Sequence, residues 1–279
     1  MIRIACCQFA PDVEHPSENP ARACAAIAAA IDSGAQLVVL PELCNSGYVF
    51  ESVDETRAAA VTRDDELLRG WAQEAARANA LVVGGFAELA PDGTLYNSSA
   101  LVDQDGVRAV YRKLHLWDRE SLWFAAGDDP APVIDTPHGR IGLAICYDIE
   151  FPEVTRGLAL DGAELIALPA NWPHDSAPPD GRPILHSLAA VTAYHNKVFV
   201  AVCDRSGTER GVEFEGGSVI ADPEGALRAG PVKNRGEEML IADVEPAQAR
   251  DKRTSERNDA FADRRPDRYV AALANGGSR

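Results

Sequence analysis

Short apolar runs rich in Val, Ile and Ala recur along the chain, and polar or turn-forming residues separate them. Runs of this length and composition are typical of buried β-strands. The pattern predicts ten strands, at residues 2–9, 37–40, 81–86, 98–102, 107–111, 141–146, 165–168, 198–203, 217–221 and 239–244.

Helical periodicity fills several of the gaps between these runs. Apolar residues recur there every three or four positions, so that they fall on one face of a helix. The pattern predicts helices at residues 17–33, 63–78, 152–160 and 184–195. Strands that alternate with helices are typical of a layered α/β fold, which is the fold class we predict.

Two segments of the chain resemble each other. Residues 35–42 read AQLVVLPE and residues 163–170 read AELIALPA, so each is an apolar strand that ends in Leu-Pro. The similarity hints at two related halves. No low-complexity linker divides the chain, and we therefore predict a single domain over residues 1–279. Its tail from about residue 247 is polar and Arg-rich, and is interpreted as a helix on a partner or a mobile arm.

Composition and charge exclude some classes of function. Hydrophobic residues make up 46% of the 279 residues, which is ample for one sizeable core, and the net charge is −16. Such a surface repels nucleic acid and anionic membranes, because phosphate binding needs clustered Lys and Arg. No apolar run approaches the ~18 residues of a membrane span. We therefore expect neither nucleic acid nor a membrane as a partner.

The six cysteines show neither a C-x-x-C pair nor a zinc-like Cys/His spacing. The N-terminal segment lacks a basic n-region and a long apolar stretch. We expect a reduced cytoplasmic protein whose cysteines are mostly core residues. Phosphate-binding and dinucleotide-binding glycine motifs are also missing. No metal ion and no organic cofactor is therefore expected.

Cys146 has the strongest chemical signal. It ends the apolar run 141–146, and the predicted helix 152–160 begins a few residues later. A side chain at such a strand-to-helix turn stands at the sheet edge, near backbone N–H groups that favour a thiolate and later an oxyanion. This is the arrangement of a nucleophile elbow, although a buried structural cysteine fits the position equally well.

Glu42 and Lys113 also follow predicted strands directly. The carboxyl ends of strands in α/β sheets are where ligand sites gather. Together the three groups form a complete set for hydrolysis. Glu42 would take the proton of Cys146 and return it to a leaving amine, while Lys113 would stabilise the tetrahedral oxyanion.

Three segments in this order resemble the signature blocks of the nitrilase superfamily. They are LPEL at residues 40–43, YRKLHL at residues 111–116 and ICYDIEFPE at residues 145–153. The resemblance implies a four-layer αββα sandwich, a triad of Glu42, Lys113 and Cys146, and a second glutamate that orients the substrate, best matched by Glu120. It also implies a homodimer or a higher homo-oligomer.

The family resemblance further nominates three residues that bind substrate, namely Tyr147, Asn171 and Trp172. It implies a hydrolase of non-peptide C–N bonds, here an amidase with a thioester intermediate. Strict nitrilases carry Cys-Trp-Glu at the nucleophile, whereas this chain has Cys146 followed by Tyr and Asp, which favours amides. Nitriles and N-carbamoyl amines or amino acids are the alternatives.

The charge around the nucleophile suggests a neutral or cationic carboxamide. Acidic residues follow Cys146 at positions 148, 150 and 153, while a substrate carboxylate is best held by an arginine. Arg182 or Arg205, from later loops, would reverse this expectation by folding over the site. Two rival functions also stay open, a Cys–His hydrolase with His115 as base and a binding protein without activity.

Overall fold

Two six-stranded β-sheets face each other in the described part of the chain, which is residues 1–174, 184–232 and 236–269 of a computed structural model. The first sheet has the spatial order β14 (Glu238–Val244), β1 (Ile2–Gln8), β2 (Leu37–Val39), β3 (Leu81–Leu89), β4 (Leu95–Asp103) and β5 (Gly106–Arg112). The second has the order β13 (Leu227–Ala229), β12 (Val219–Ala221), β9 (Phe199–Cys203), β8 (Leu165–Pro169), β7 (Gly139–Leu143) and β6 (Val133–Thr136). A short separate hairpin consists of β10 (Thr208–Glu209) and β11 (Val212–Glu213).

Helices cover the outer face of each sheet. The first sheet carries α1 (Asn19–Asp32) and α3 (Glu66–Ala76), with α2 (Val53–Ala59) beside β3. The second sheet carries α4 (Pro152–Leu160) and α5 (Ile184–Asn196). The layers therefore follow the order helix, sheet, sheet, helix, and the predicted αββα sandwich is confirmed.

Strand β2 shows why the central runs are apolar throughout. Leu37 and Val39 pack between the two sheets, while Val38 and Leu40 pack under α1 and α3. Side chains alternate between the faces of a strand, and here both faces are covered, so no polar position remains. Burying one such side chain fully stabilises the fold by about 1.5–3 kcal/mol.

The hint of two related halves is confirmed by the topology. Strands β1, β2 and β3 are parallel, as are β7, β8 and β9, and the two sheets have equivalent strand orders. The two Leu-Pro segments end the central strands β2 and β8. The backbone N–H of Glu42 donates to the carbonyl of Ala170 at 3.4 Å, so these two strand ends meet across the sheets.

All ten predicted strands and all four predicted helices occur, with shifted ends. The sequence pattern missed α2, β6, β13 and the hairpin of β10 and β11, which are short. The described residues after Pro246 contact their own chain rather than forming a free arm. Ala249 is buried, Arg250 binds Glu164, and Lys252 donates to the carbonyl of Lys197 at 2.9 Å, just beyond the end of α5.

Candidate active site

Cys146 lies three residues beyond Leu143, the end of β7, where a short 3₁₀ helix, Cys146–Glu150, begins and leads into α4. Its backbone has a φ of 44°, in the left-handed region that side chains with a Cβ rarely adopt. Such strain persists only where the surrounding structure imposes it, and it clusters at functional sites. The Sγ atom is buried and donates to the carbonyl of Asn171 at 3.9 Å. The predicted strand-to-helix turn is therefore present.

Glu42 and Lys113 meet in the interior. Glu42 follows β2, Lys113 follows β5, and the Lys113 Nζ atom lies 2.7 Å from the Glu42 Oε1 atom. Both side chains are fully buried, which is tolerable only because they pair. Gly85 on β3 makes room for this approach, since a Cβ there would lie 2.5 Å from the Cα of Glu42.

Glu120 is the third charged member of this group. It lies in a short 3₁₀ helix, Asp118–Leu122, and its carboxylate oxygens are 2.7 and 2.9 Å from the Lys113 Nζ atom. The hydroxyl of Tyr48 donates to Glu120 Oε1 at 2.6 Å. One buried ammonium therefore lies between two carboxylates, Glu42 and Glu120.

Asn97 and Tyr48 belong to this site, and sequence reasoning missed both. The Asn97 amide donates to Glu42 Oε1 at 2.6 Å and to Glu120 Oε2 at 3.4 Å. A signal was available for Asn97, because it opens a polar stretch, Asn97-Ser98-Ser99, inside an otherwise apolar strand. A polar group in a buried strand is costly unless it has a partner.

The electrostatics suit proton transfer near neutrality. Burial raises the pKa of Glu42 to about 7, Lys113 opposes this rise, and Glu120 adds to it. Burial and the nearby Glu42 raise the pKa of the Cys146 thiol, which keeps its proton at rest. Burial disfavours charge on Lys113, but Glu120 and Glu42 outweigh it and raise the pKa of the ammonium. Glu42 Oε2 has no hydrogen-bond partner among the described residues, so it can accept a proton.

Asp148 does not contribute charge to the substrate cavity, contrary to our expectation. It is fully buried and accepts from the Tyr111 hydroxyl at 2.8 Å and from the backbone N–H of Ile145 at 3.1 Å. It therefore connects the turn of Cys146 to the end of β5. Glu153 lines a different groove beside α4 and α5, and of the three acidic residues only Glu150 lines the space beside Cys146.

His115 is engaged elsewhere and does not support a Cys–His pair. Its Nδ1 atom lies 2.8 Å from Asp148 Oδ1, and its ring stacks on Phe151 with centroids 3.5 Å apart. The charged groups that influence Cys146 are the carboxylates of Glu42 and Glu120 and the Lys113 ammonium.

A cleft of about 530 Å³ leads to the buried charges, a size that accommodates a small molecule. It is lined by Tyr48, Val49, Phe50, Leu116, Trp117, Asp118, Arg119, Glu120, Trp123, Tyr147, Pro173 and Val212. A separate narrow space of about 10 Å³ lies beside the nucleophile and shares three lining residues with the cleft. It is lined by Trp117, Cys146, Tyr147, Glu150, Trp172 and Pro173.

Of the three residues predicted to bind substrate, two line the cavities and one is buried beside Cys146. Tyr147 lines both the cleft and the narrow space, and Trp172 lines the narrow space. Asn171 is fully buried and contacts Cys146 through its backbone oxygen. The side-chain amide of Asn171 has no hydrogen-bond partner among the described residues.

Arg205 is not available to hold a substrate carboxylate. It is 1% exposed, pairs with Glu209 at 2.9 Å and donates to the carbonyl of Pro11 at 2.8 Å. Its guanidinium also lies 4.2 Å from the centroid of the Phe214 ring. The other arginine considered from the sequence, Arg182, lies outside the described residues.

Three further features concern the described residues as a whole. They contain no group of three or more His, Cys, Asp or Glu side chains arranged to bind a metal ion. None of their helices combines the length and apolar character that crossing a membrane requires. All six cysteines are free thiols.

Known proteins resemble this chain over most of its length. The family model described as carbon-nitrogen hydrolase matches residues 3–254. A protein of Pyrococcus abyssi named nitrilase is 37% identical over 270 residues, which cover 96% of this chain and 99% of that protein. An N-carbamoylputrescine amidase of Solanum tuberosum is 32% identical, with 100% of this chain and 97% of that protein covered.

The fold also has solved counterparts. The crystal structure of an amidase from Nesterenkonia sp. matches with a TM-score of 0.79 and 26% identity, over 98% of this chain and 96% of that one. In a variant of the Nesterenkonia sp. AN1 amidase, the acetamide moiety of fluoroacetamide is added covalently at the active-site cysteine.

Proposed function

The chain belongs to the carbon–nitrogen hydrolase family, and from that premise we propose that it hydrolyses small carboxamides to a carboxylic acid and ammonia. In this proposal Cys146 is the nucleophile, Glu42 the general base, Lys113 the oxyanion stabiliser and Glu120 the residue that orients the substrate. The observation that carries the assignment is the buried group of Glu42, Lys113 and Glu120 beside a strained, buried cysteine.

The first half-reaction forms a thioester. Glu42 takes the proton of the Cys146 thiol, and the sulfur attacks the carbonyl carbon of the amide. The oxygen of the tetrahedral intermediate becomes negative and is stabilised by Lys113, with the backbone N–H of Tyr147 as a second donor. Glu42 then gives its proton to the leaving nitrogen, the C–N bond breaks, and ammonia departs.

The second half-reaction releases the acid. A water molecule loses a proton to Glu42 and attacks the thioester carbonyl, so that Lys113 again faces an oxyanion. The C–S bond breaks and the Cys146 sulfur recovers the proton from Glu42. A base with a pKa of about 7 suits both directions of transfer, because efficient proton transfer needs a pKa near the working pH.

We assign the preferred substrate as a neutral or cationic amide. Glu150 lines the narrow space beside Cys146, while Arg119 lines the cleft near the Trp123 ring. An anionic tail near the nucleophile would face Glu150, whereas a cationic one would be attracted. Arg205, which would have favoured a carboxylate, is committed to Glu209.

Nitrile hydrolysis is the second candidate function. The Pyrococcus relative is named nitrilase, and a nitrile has the same electrophilic carbon within reach of a thiol. Against it stands Tyr147, which follows the nucleophile at the position where strict nitrilases carry Trp. Cleavage of an N-carbamoyl amine is the third possibility, suggested by the relative from Solanum tuberosum.

One panel of substrates distinguishes these functions. Butyramide, butyronitrile, an N-carbamoyl amine and an N-carbamoyl amino acid of similar size are compared by ammonia release, with the Cys146→Ala protein as blank. We expect the highest kcat/KM for the amide and the lowest for the carbamoyl amino acid. A clear preference for the carbamoyl amino acid would reject the proposal that the substrate is neutral or cationic. Release of ammonia from the nitrile alone would reject the proposed amidase activity.

We also propose a homo-oligomer in the cytoplasm. Support for the oligomer comes from apolar side chains on α4 and α5 that are open to solvent in the single chain, including Leu160, Val191 and Tyr194. Exposed apolar patches of this kind often mark protein contacts. Sedimentation of the purified protein tests the oligomer, and a monomer at micromolar concentration would reject it.

A further inference from the structure

The hairpin of residues 208–213 has an unusual turn. Its two-residue turn consists of Arg210 with a φ of 46° and Gly211 with a φ of 83°, between the paired residues Glu209 and Val212. Two positive φ angles are typical of a type I′ turn, which favours Asn, Asp or Gly at its first position. An arginine there is strained, and strain of this kind persists where the surroundings hold the residue in place.

Two neighbouring side chains of the hairpin bind the backbone of Tyr48 and Val49. Glu209 Oε2 accepts from the N–H of Tyr48 at 2.8 Å and from the N–H of Val49 at 2.6 Å. Arg210 donates to the carbonyl of Val49 at 2.8 Å and pairs with Glu55 at 2.6 Å. Adjacent residues of opposite charge thus satisfy three backbone groups of one short segment.

The carboxylate of Glu209 is itself held in place. Glu209 is 6% exposed and pairs through its other oxygen with the buried Arg205 at 2.9 Å. Arg205 lies over the Phe214 ring, and that ring makes a T-shaped contact with the Tyr48 ring, with centroids 5.9 Å apart. Tyr48 is therefore fixed both at its backbone and at its ring.

The segment held in this way is one side of the substrate cleft. Tyr48, Val49 and Phe50 line the cleft, as does Val212 of the hairpin. The Tyr48 hydroxyl donates to Glu120, which in turn binds Lys113. A displacement of this segment would move both the cleft wall and the donor to Glu120.

We propose that the hairpin of residues 208–213 positions this side of the cleft, with Glu209 and Arg210 as positioning residues that act through Tyr48. The proposal rests on the proposed function, because the reaction whose substrate is positioned is amide hydrolysis. Neither residue touches the reacting atoms, so their effect is on substrate placement.

Arg210→Gly separates positioning from stability. Glycine adopts positive φ without strain, so the turn should be kept and the Tm unchanged or higher, while the bonds to Val49 and Glu55 are lost. We expect kcat/KM for butyramide to fall about tenfold. Arg210→Lys, which keeps one donor, should recover part of the loss. A kcat/KM equal to that of the unchanged protein would overturn the proposal.

Glu209→Gln and Tyr48→Phe test whether the hairpin acts on catalysis through Tyr48. Each should lower kcat/KM about tenfold, and the double variant should be little worse than either single variant, because both changes disturb one unit. Glu164→Gln is the matched control, since Glu164 is also buried and paired with an arginine, but lies before β8, at the end of the sheet away from the cleft. Losses that multiply, or an equal loss in the control, would overturn the proposal.

The rate of Cys146 alkylation by iodoacetamide gives a readout that needs no turnover. We expect it to fall severalfold in the Glu209→Gln and Arg210→Gly variants and to stay unchanged in Glu164→Gln. If the unchanged protein hydrolyses no amide, the proposed function fails, while the alkylation rates still decide the role of the hairpin. Equal alkylation rates in all four proteins would reject that role.

Discussion

The Nζ atom of Lys113 lies 2.7 Å from the Oε1 atom of Glu42 and 2.7 Å from the Oε1 atom of Glu120, and Lys113 and Glu42 are wholly shielded from solvent. One cation therefore balances two carboxylates in the interior. Buried charges are tolerated only when they are paired, so the stability of the fold and the chemistry of the site depend on the same contact.

Lys113→Met should impair both the stability of the fold and the turnover of the substrate. Removing the cation leaves two buried carboxylates facing each other, and we expect the free energy of unfolding to fall by about 3–5 kcal/mol. Turnover should fall by at least ~10²–10³ through loss of the oxyanion donor. Adding Glu42→Gln should restore part of the stability and none of the activity. Urea unfolding and ammonia release measure the two effects, and a single variant as stable as the unchanged protein would contradict the prediction.

Activity should depend on the ionisation of Glu42. Because burial raises the pKa of this carboxyl to about 7, it gains a proton as the pH falls through 7 and can then no longer act as a base. The kcat/KM should therefore decrease with falling pH, approaching about tenfold per unit well below 7. Glu42→Gln should be nearly inactive at every pH. A flat profile between pH 5.5 and 8 would exclude Glu42 as the base.

Cys146→Ala should abolish turnover without unfolding the protein, since Cys146 is small and the substitution removes one atom beside an existing space. When the unchanged protein is incubated with a slow amide, mass spectrometry should find an acyl adduct on the peptide that contains Cys146. Cys24→Ala is the control, because Cys24 is a partly exposed thiol of α1. An adduct on Cys44 or Cys203 would refute the assignment.

Glu120→Gln should misplace the substrate rather than remove the base. The variant keeps the size of the side chain but loses the negative charge. It therefore weakens the contact with Lys113, whose Nζ atom lies 2.7 Å from a carboxylate oxygen of Glu120 in the unchanged protein. We expect a strong decrease in kcat for amides, while Cys146 still reacts with iodoacetamide. Unchanged amide turnover would return Glu120 to a purely structural role.

Asp148→Ala should loosen the turn of the nucleophile. The substitution leaves the Tyr111 hydroxyl and the Ile145 N–H without their acceptor, and each buried unsatisfied group costs about 1–3 kcal/mol. We expect a lower free energy of unfolding and slower alkylation of Cys146. Glu150→Gln, at an exposed neighbour, should change stability by less than about 0.5 kcal/mol. Equal stability of the two variants would contradict this role.

The layers and the main elements could be predicted from the sequence, because they depend on local patterns. Apolar runs such as Leu37–Val39 specify buried strands, and periodic apolar positions specify helices that cover them. The turn at Cys146 was also predictable, since a strand end and a helix start lie within a few residues of each other. Short elements such as α2 escaped, because a few residues carry too little periodicity.

The composition of the site was decided by tertiary structure. Glu42 and Lys113 are 71 residues apart, and only the pairing of β2, β3, β4 and β5 brings them together. Asn97 joins them because it is paired with the end of β5, a fact of strand register that no local pattern contains.

Side-chain direction was likewise beyond the sequence. Asp148 lies two residues from Cys146, yet it points into the protein, because the 3₁₀ turn directs successive side chains to different sides. Arg205 is paired with Glu209, four residues later, and does not line the cleft. The sequence by itself determined which elements form and which residues end them. The packing of those elements decided which residues meet, because distance in the folded chain depends on sheet order and register.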